Sequence, residues 1–169
     1  NRRRHREALR LVSRGMAGAC MQYADVFNGD ADGLCPLHQL RLADPRADAL
    51  LVTGVKRDIE LLSRVPQIAG ACVTVLDVSL ERNRAALLAL LACGMEVDYF
   101  DHHFAGEIPQ QAGLRVHIDA TADVCTSMLV DRHIGGRDRA WAVVGAFGDN
   151  MRDAARQLAA PLHLPEPAL

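Results

Sequence analysis

The feature that most constrains this chain is a series of short apolar runs beginning at residues 24, 49, 72, 95 and 115, with helical patterns between the first four. The third, Cys72–Asp77, is almost unbroken in its apolar character until its final acid. That is how a strand covered on both faces reads, because neither side meets water. Strand and helix patterns alternating in this way predict an α/β fold, a doubly wound, mainly parallel five-stranded sheet with helices on both faces. The predicted strands cover 24–28, 49–53, 72–77, 95–100 and 115–118. The predicted helices cover 34–43, 58–65, 80–91 and 123–134, and a long one from 138 carries Gly148-Asp149-Asn150 and ends at Pro161. Pro36 falls in the first turn of its helix, where a missing N–H costs little. Ser79 stands where it can cap the next helix, with Glu81 near its positive end.

In an open parallel sheet the carboxyl ends of the strands border the ligand crevice. Those ends are where this sequence concentrates its chemistry. The first strand runs into Asn28-Gly29-Asp30-Ala31-Asp32-Gly33, the third ends in Asp77, and the fourth runs into Asp101-His102-His103. Gly29 and Gly33 let the backbone bend closely around the two acids. Carboxylates this close repel one another unless a proton or cation intervenes. Carboxylates with one or two imidazoles and no thiolate suit manganese, and less well magnesium or iron. There are more candidate ligands than one tetrahedral zinc uses. Two ions sharing a bridging carboxylate would use this many, and such pairs hydrolyse phosphate esters. Neighbouring side chains on an extended segment point to opposite sides, so one of His102 and His103 is expected to ligate and the other to face substrate.

Composition closes off several classes. No apolar run approaches the ~18 residues of a membrane span. The five cysteines, at 20, 35, 72, 93 and 125, form no CxxC pair and read as reduced thiols of a cytoplasmic protein. Residues 1–20 hold six Arg and one Glu, which leaves 13 basic and 20 acidic residues in the remainder. An acidic body argues against a long nucleic-acid groove and suits a carboxylate-rich cation site. The basic stretch 1–20 reads as an extension upstream of Met21, and Pro161, Pro165 and Pro167 mark a linker.

Together, N-x-D-x-D-G at 28–33, the strand-end Asp77, D-H-H at 101–103 and a later G-x-x-G-D at 145–149 resemble the DHH phosphoesterase family. That family includes RecJ-type exonucleases, nanoRNases, cyclic-dinucleotide phosphodiesterases and related inorganic pyrophosphatases. The resemblance covers about residues 24–155 and makes 21–160 the catalytic domain. It implies two manganese ions, with magnesium as the alternative: Asp30 and Asp32 would hold them separately and Asp77 would bridge them, while His102 and Asp149 complete the second. His103 would contact the scissile phosphate, and Asp101 would orient an imidazole. Asn28 departs from the family, which commonly has Asp or His there, and could ligate only through its amide oxygen. The family also usually carries a smaller C-terminal substrate-binding domain, to which residues 161–169 would begin the linker. Arg57, Arg137 and Arg139 are further candidates for phosphate contacts. The expected activity is manganese-dependent hydrolysis of phosphodiester bonds in nucleotide-like or short oligonucleotide substrates, and a homodimer is left open. The alternatives are a pyrophosphate or phosphomonoester hydrolase, and a catalytically impaired metal-binding regulatory module.

Overall fold

The computed structural model describes residues 22–55 and 57–163; the expected N-terminal extension, and the linker beyond 163, lie outside the described residues. Five strands, β1 (Tyr23–Asn28), β2 (Leu50–Gly54), β3 (Cys72–Leu76), β4 (Glu96–Asp101) and β5 (Leu114–Ile118), form one sheet in the order β2-β1-β3-β4-β5. Every neighbouring pair is parallel. The α-helices are α1 (Ala31–Ala43), α2 (Leu80–Ala92), α3 (Thr126–His133), α4 (Arg139–Gly148) and α5 (Arg152–Ala159).

Strand alternation explains the two covered faces. Ala24, Val26, Val73, Val75, Val97 and Tyr99 pack on one side with Leu61, Leu62, Leu80, Leu87 and Leu90. Phe27, Leu76 and Phe100 point the other way, onto Val130 of α3 and Leu37 and Leu40 of α1. The expected doubly wound α/β fold is therefore the observed one. Its strand order reverses direction at β1, whose successors lie on opposite sides of it. Crossovers leaving β1 and β3 then diverge to opposite faces, and a crevice opens beyond the carboxyl ends of those two strands.

Three expectations about elements are corrected. The helix expected at 58–65 is a single 3-10 turn, Leu61–Arg64. Its reach is limited by Asn83 of α2, which accepts from the Leu62 N–H at 3.1 Å and donates to the Ile59 carbonyl at 2.6 Å. Pro66 then holds Val65 extended (φ −79°, ψ 124°). The long helix from 138 is two helices broken at Asp149–Met151. Asn150 takes a left-handed backbone (φ 61°), while its N–H reaches the Phe147 carbonyl and that of Met151 reaches Ala146. These two bonds close the helix in a Schellman turn, with Asn in glycine's usual place. Finally, α1 starts three residues early because Asp30 caps it, accepting from Gly33 N–H at 3.3 Å. Pro36 consequently lies inside α1, not in its first turn. Ser79 does occupy the N-cap of α2, but its side chain makes no capping bond.

Candidate metal centre

Each residue of the centre is set by the end of an element. Asn28 is the last residue of β1, Asp30 caps α1, and Asp32 sits in the first turn of α1 and is buried. Asp77 follows β3 directly, is 5% exposed, and has a left-handed backbone (φ 56°). A non-glycine residue held there stores strain that the surrounding structure must offset, a pattern that gathers at functional sites. Its N–H is anchored to the Phe100 carbonyl at 3.1 Å. Asp101 ends β4, and Asp149 is the C-cap of α4.

These side chains converge. His102 Nε2 lies 3.3 Å from Asp77 Oδ1, 3.6 Å from Asp149 Oδ2 and 3.8 Å from Asp32 Oδ2. The Asn28 amide nitrogen donates to Asp77 at 3.0 Å and to Asp30 at 3.3 Å. Among the described residues, two sets of ligand atoms fall close enough together to hold an ion: Asp32, His102 and Asp149, and Asp77, His102 and His103. The expectation that the adjacent histidines face opposite ways is not met. Their ring centroids are 4.5 Å apart, and His103 Nδ1 also approaches Asp77, at 3.8 Å. Strand alternation lapses because β4 ends at Asp101, one residue before the pair.

Asp101 is fully buried and grips the segment. Its Oδ1 accepts from the His102 N–H at 2.9 Å and lies 2.6 Å from His103 Nδ1. That leaves Nε2 as the other nitrogen of the His103 ring, whose side chain is 46% exposed.

The electrostatics are those of a buried carboxylate cluster that draws in positive charge. Burial pushes the Asp32 carboxyl pKa up, and the charge of Asp77 pushes it further. Burial raises Asp77 as well, against the hydrogen bond from His102. For His102, burial pulls downward, but the hydrogen bond to Asp77 and the charges of Asp32, Asp77 and Asp149 outweigh it and lift the pKa to about 9. His103 is raised chiefly by its bond to Asp101. A divalent cation bound here would supply the positive charge that these groups otherwise draw from protons. The donor set, carboxylate and imidazole without thiolate, fits manganese or magnesium. The nearby thiols do not compete, since burial lifts Cys35 to about 11 and raises Cys125 as well. All four described cysteines are free.

Two of the three expected arginines are engaged elsewhere. Arg139 pairs with buried Asp131 at 3.2 Å. Arg137 donates to the Ile134 carbonyl and lines a cavity with Thr74 and Asp98, residues well before the ends of β3 and β4. Arg57 lies exposed in the loop after β2. A cation that sequence reasoning passed over, Arg82 in the first turn of α2, lines a cavity of about 290 Å³ with Asn28, Asp77 and His103. Its signal was available: it stands five residues after a strand-end acid, at the start of the following helix. Also passed over were the Thr126 and Ser127 N–H groups, both bonded to Asp32.

No protein-family signature matches the chain, and no curated protein aligns with it. Solved structures do. The exonuclease RecJ bound to manganese superposes with a TM-score of 0.53 at 24% identity, over 80% of this chain and 41% of that one. RecJ from Thermus thermophilus in complex with Mn2+ gives a TM-score of 0.54 at 23% identity, over 82% of this chain and 24% of that one. The fold is RecJ-like. This chain spans less than half the length of either RecJ protein. No described helix is long and apolar enough to cross a membrane.

Proposed function

We propose that this chain is a manganese-dependent phosphoesterase that hydrolyses phosphodiester bonds of short oligonucleotides or nucleotide-like substrates. The observation that carries the reading is the meeting of Asp32, Asp77 and Asp149 within 3.3–3.8 Å of His102 Nε2, beyond the strand ends where the sheet reverses. Two ions fit the donor set. Asp32, His102 and Asp149 would hold one, Asn28 and Asp30 the other, and Asp77 lies between the two groups. Bound there, the ions supply a nucleophile from water at neutral pH and charge neutralisation at the phosphoryl oxygens. The manganese in both RecJ structures supports that choice of ion.

The chain's own groups account for the rest. His103, oriented by Asp101 through Nδ1, would present its other ring nitrogen to a phosphoryl oxygen or leaving group. Arg82 adds a guanidinium on the same cavity for a neighbouring phosphate. The Asn28 amide nitrogen faces Asp30 and Asp77, so its oxygen reaches an ion only after the amide turns over. That observation favours weaker retention of one ion and keeps the regulatory module as the second reading.

The test is a substrate panel with manganese: a phosphodiester dinucleotide, a cyclic dinucleotide, pyrophosphate and 3′-phosphoadenosine 5′-phosphate, each repeated with Asp77→Ala. Dinucleotide turnover that disappears in the variant is expected. Preference for pyrophosphate or the monoester would move the assignment within hydrolases, and tight manganese binding without turnover would favour the regulatory module.

A further inference from the structure

Among the acids that would ligate an ion, Asp32 is more completely enclosed than Asp77, at 1% exposure against 5%, and its carboxylate is gripped from another helix. The Thr126 N–H donates to Oδ2 at 2.8 Å and the Ser127 N–H to Oδ1 at 2.9 Å. These are the first two residues of α3, whose own N-cap, Cys125, makes no side-chain capping bond. Asp32 therefore caps α3 from a distance of 94 residues in sequence. One N–H on each oxygen fixes the plane of the carboxylate. It also leaves Oδ2 free to turn its other lone pair toward His102. The same turn of α3 reaches the second acid, since the Thr126 hydroxyl lies 3.5 Å from Asp77 Oδ1.

The turn is itself held in place. Gln39 of α1 donates to the Ser127 carbonyl at 3.2 Å. Gly145 of α4 backs it so closely that a Cβ there would lie 1.9 Å from Ser127 Oγ and 3.2 Å from Asp32 Oδ1. Four residues further on, α4 delivers Asp149 to the same imidazole.

We infer that the first turn of α3 is a built part of the metal centre: the Thr126 and Ser127 N–H groups are positioning groups that present Asp32 to a divalent cation through one oxygen, with Gly145 giving them room. This rests on reading the cluster as a metal centre. Groups that orient a ligand in this way typically carry 10- to 100-fold of metal affinity.

Thr126→Pro isolates the claim. At the first position of a helix the N–H has no intrahelical partner, and proline is tolerated there. Cys125 is already extended (φ −115°, ψ 167°), as a residue before proline must be. Thr126→Val is the control, keeping the N–H while losing the hydroxyl. Manganese affinity of the full chain, measured by calorimetry alongside circular dichroism, is expected to weaken by about tenfold or more for Thr126→Pro and by less than about threefold for Thr126→Val. Wild-type affinity in a folded Thr126→Pro overturns the inference, whereas a wild-type chain that binds no manganese overturns the underlying reading. Should Thr126→Pro fail to fold, Gly145→Ala and the double variant Gly145→Ala/Ser127→Gly decide. Weakened binding in the first and recovery in the second support the inference, and equal binding in both overturns it.

Discussion

At Asp77 a left-handed backbone, near-complete burial and a crowd of like charges coincide. Asparagine accepts that backbone more readily than most residues and removes one buried charge. Asp77→Asn is therefore expected to raise the stability of the metal-free protein by about 1 kcal/mol while lowering manganese-dependent turnover by about a thousandfold. Thermal unfolding under chelation and steady-state hydrolysis check the two halves, and a variant with undiminished turnover would remove Asp77 from the mechanism. The imidazoles carry the pH dependence. His102 is raised from 6.5 to about 9, so the metal-free fold holds a proton there that the unfolded chain releases. That share of stability is complete below about pH 6.5 and is lost as pH rises through about 9. Asp32 and Asp77, also raised, act with the same sign at lower pH. Chelated protein should thus lose several degrees of melting temperature between about pH 6 and 9, on the order of 2 kcal/mol. His102→Ala should flatten that slope. Manganese affinity should move the other way, tightening with pH because binding must displace the His102 proton.

The clamp between β1 and α1 shows what a single element pair contributes and why part of it is hard to read beforehand. Asp25 lies fully buried in the middle of β1, and Arg41 of α1 grips it with two bonds of 2.6 and 2.8 Å. Removing one partner of a buried pair strands the other charge, so Arg41→Met should cost about 3–5 kcal/mol in urea unfolding. Manganese stoichiometry of the folded fraction should stay unchanged, because the pair lies three residues short of the strand end that bears the centre. In sequence, Asp25 is only an acid inside an apolar run; nothing beside it names Arg41. The strands were legible because each is a dense apolar run doubly covered. The 58–65 segment misled because its pattern is helical, while Asn83 and Pro66 decide its shape from outside. The break at Asp149 hid in a continuous helical pattern because Asn150, not glycine, supplies the left-handed turn. The strand-end acids and histidines could be found from residue type and place. Asp149 needed the family resemblance, and Thr126 and Ser127 left no trace, since they act through backbone N–H groups that every residue but proline carries.

At the scale of the whole chain, charge and aromatic content bound the substrate this polypeptide can hold unaided. From residue 21 onward acids outnumber bases 20 to 13, and aromatics are 4% of the sequence. A backbone-tracking groove needs positive charge along its length and rings on which successive bases stack. Here the two most exposed aromatic rings are far apart in role. Trp141 packs edge-on against His38, with ring centroids 4.4 Å apart. Phe104 follows His103 directly and is 72% exposed. Next to His103 in the chain there is thus one exposed ring that could take one base, and the other exposed ring is already packed against an imidazole. Base stacking on such a ring is worth about 1–3 kcal/mol, roughly ten- to a hundredfold in affinity. For this chain acting alone, kcat/KM should rise by about tenfold from a nucleoside-free phosphodiester to a dinucleotide. It should then stay level, within about threefold, out to a decanucleotide. Phe104→Ala should erase the first step through KM and leave the nucleoside-free diester untouched. A steady climb in kcat/KM with length, falling steeply with salt, would instead mean that the chain carries an extended nucleic-acid track.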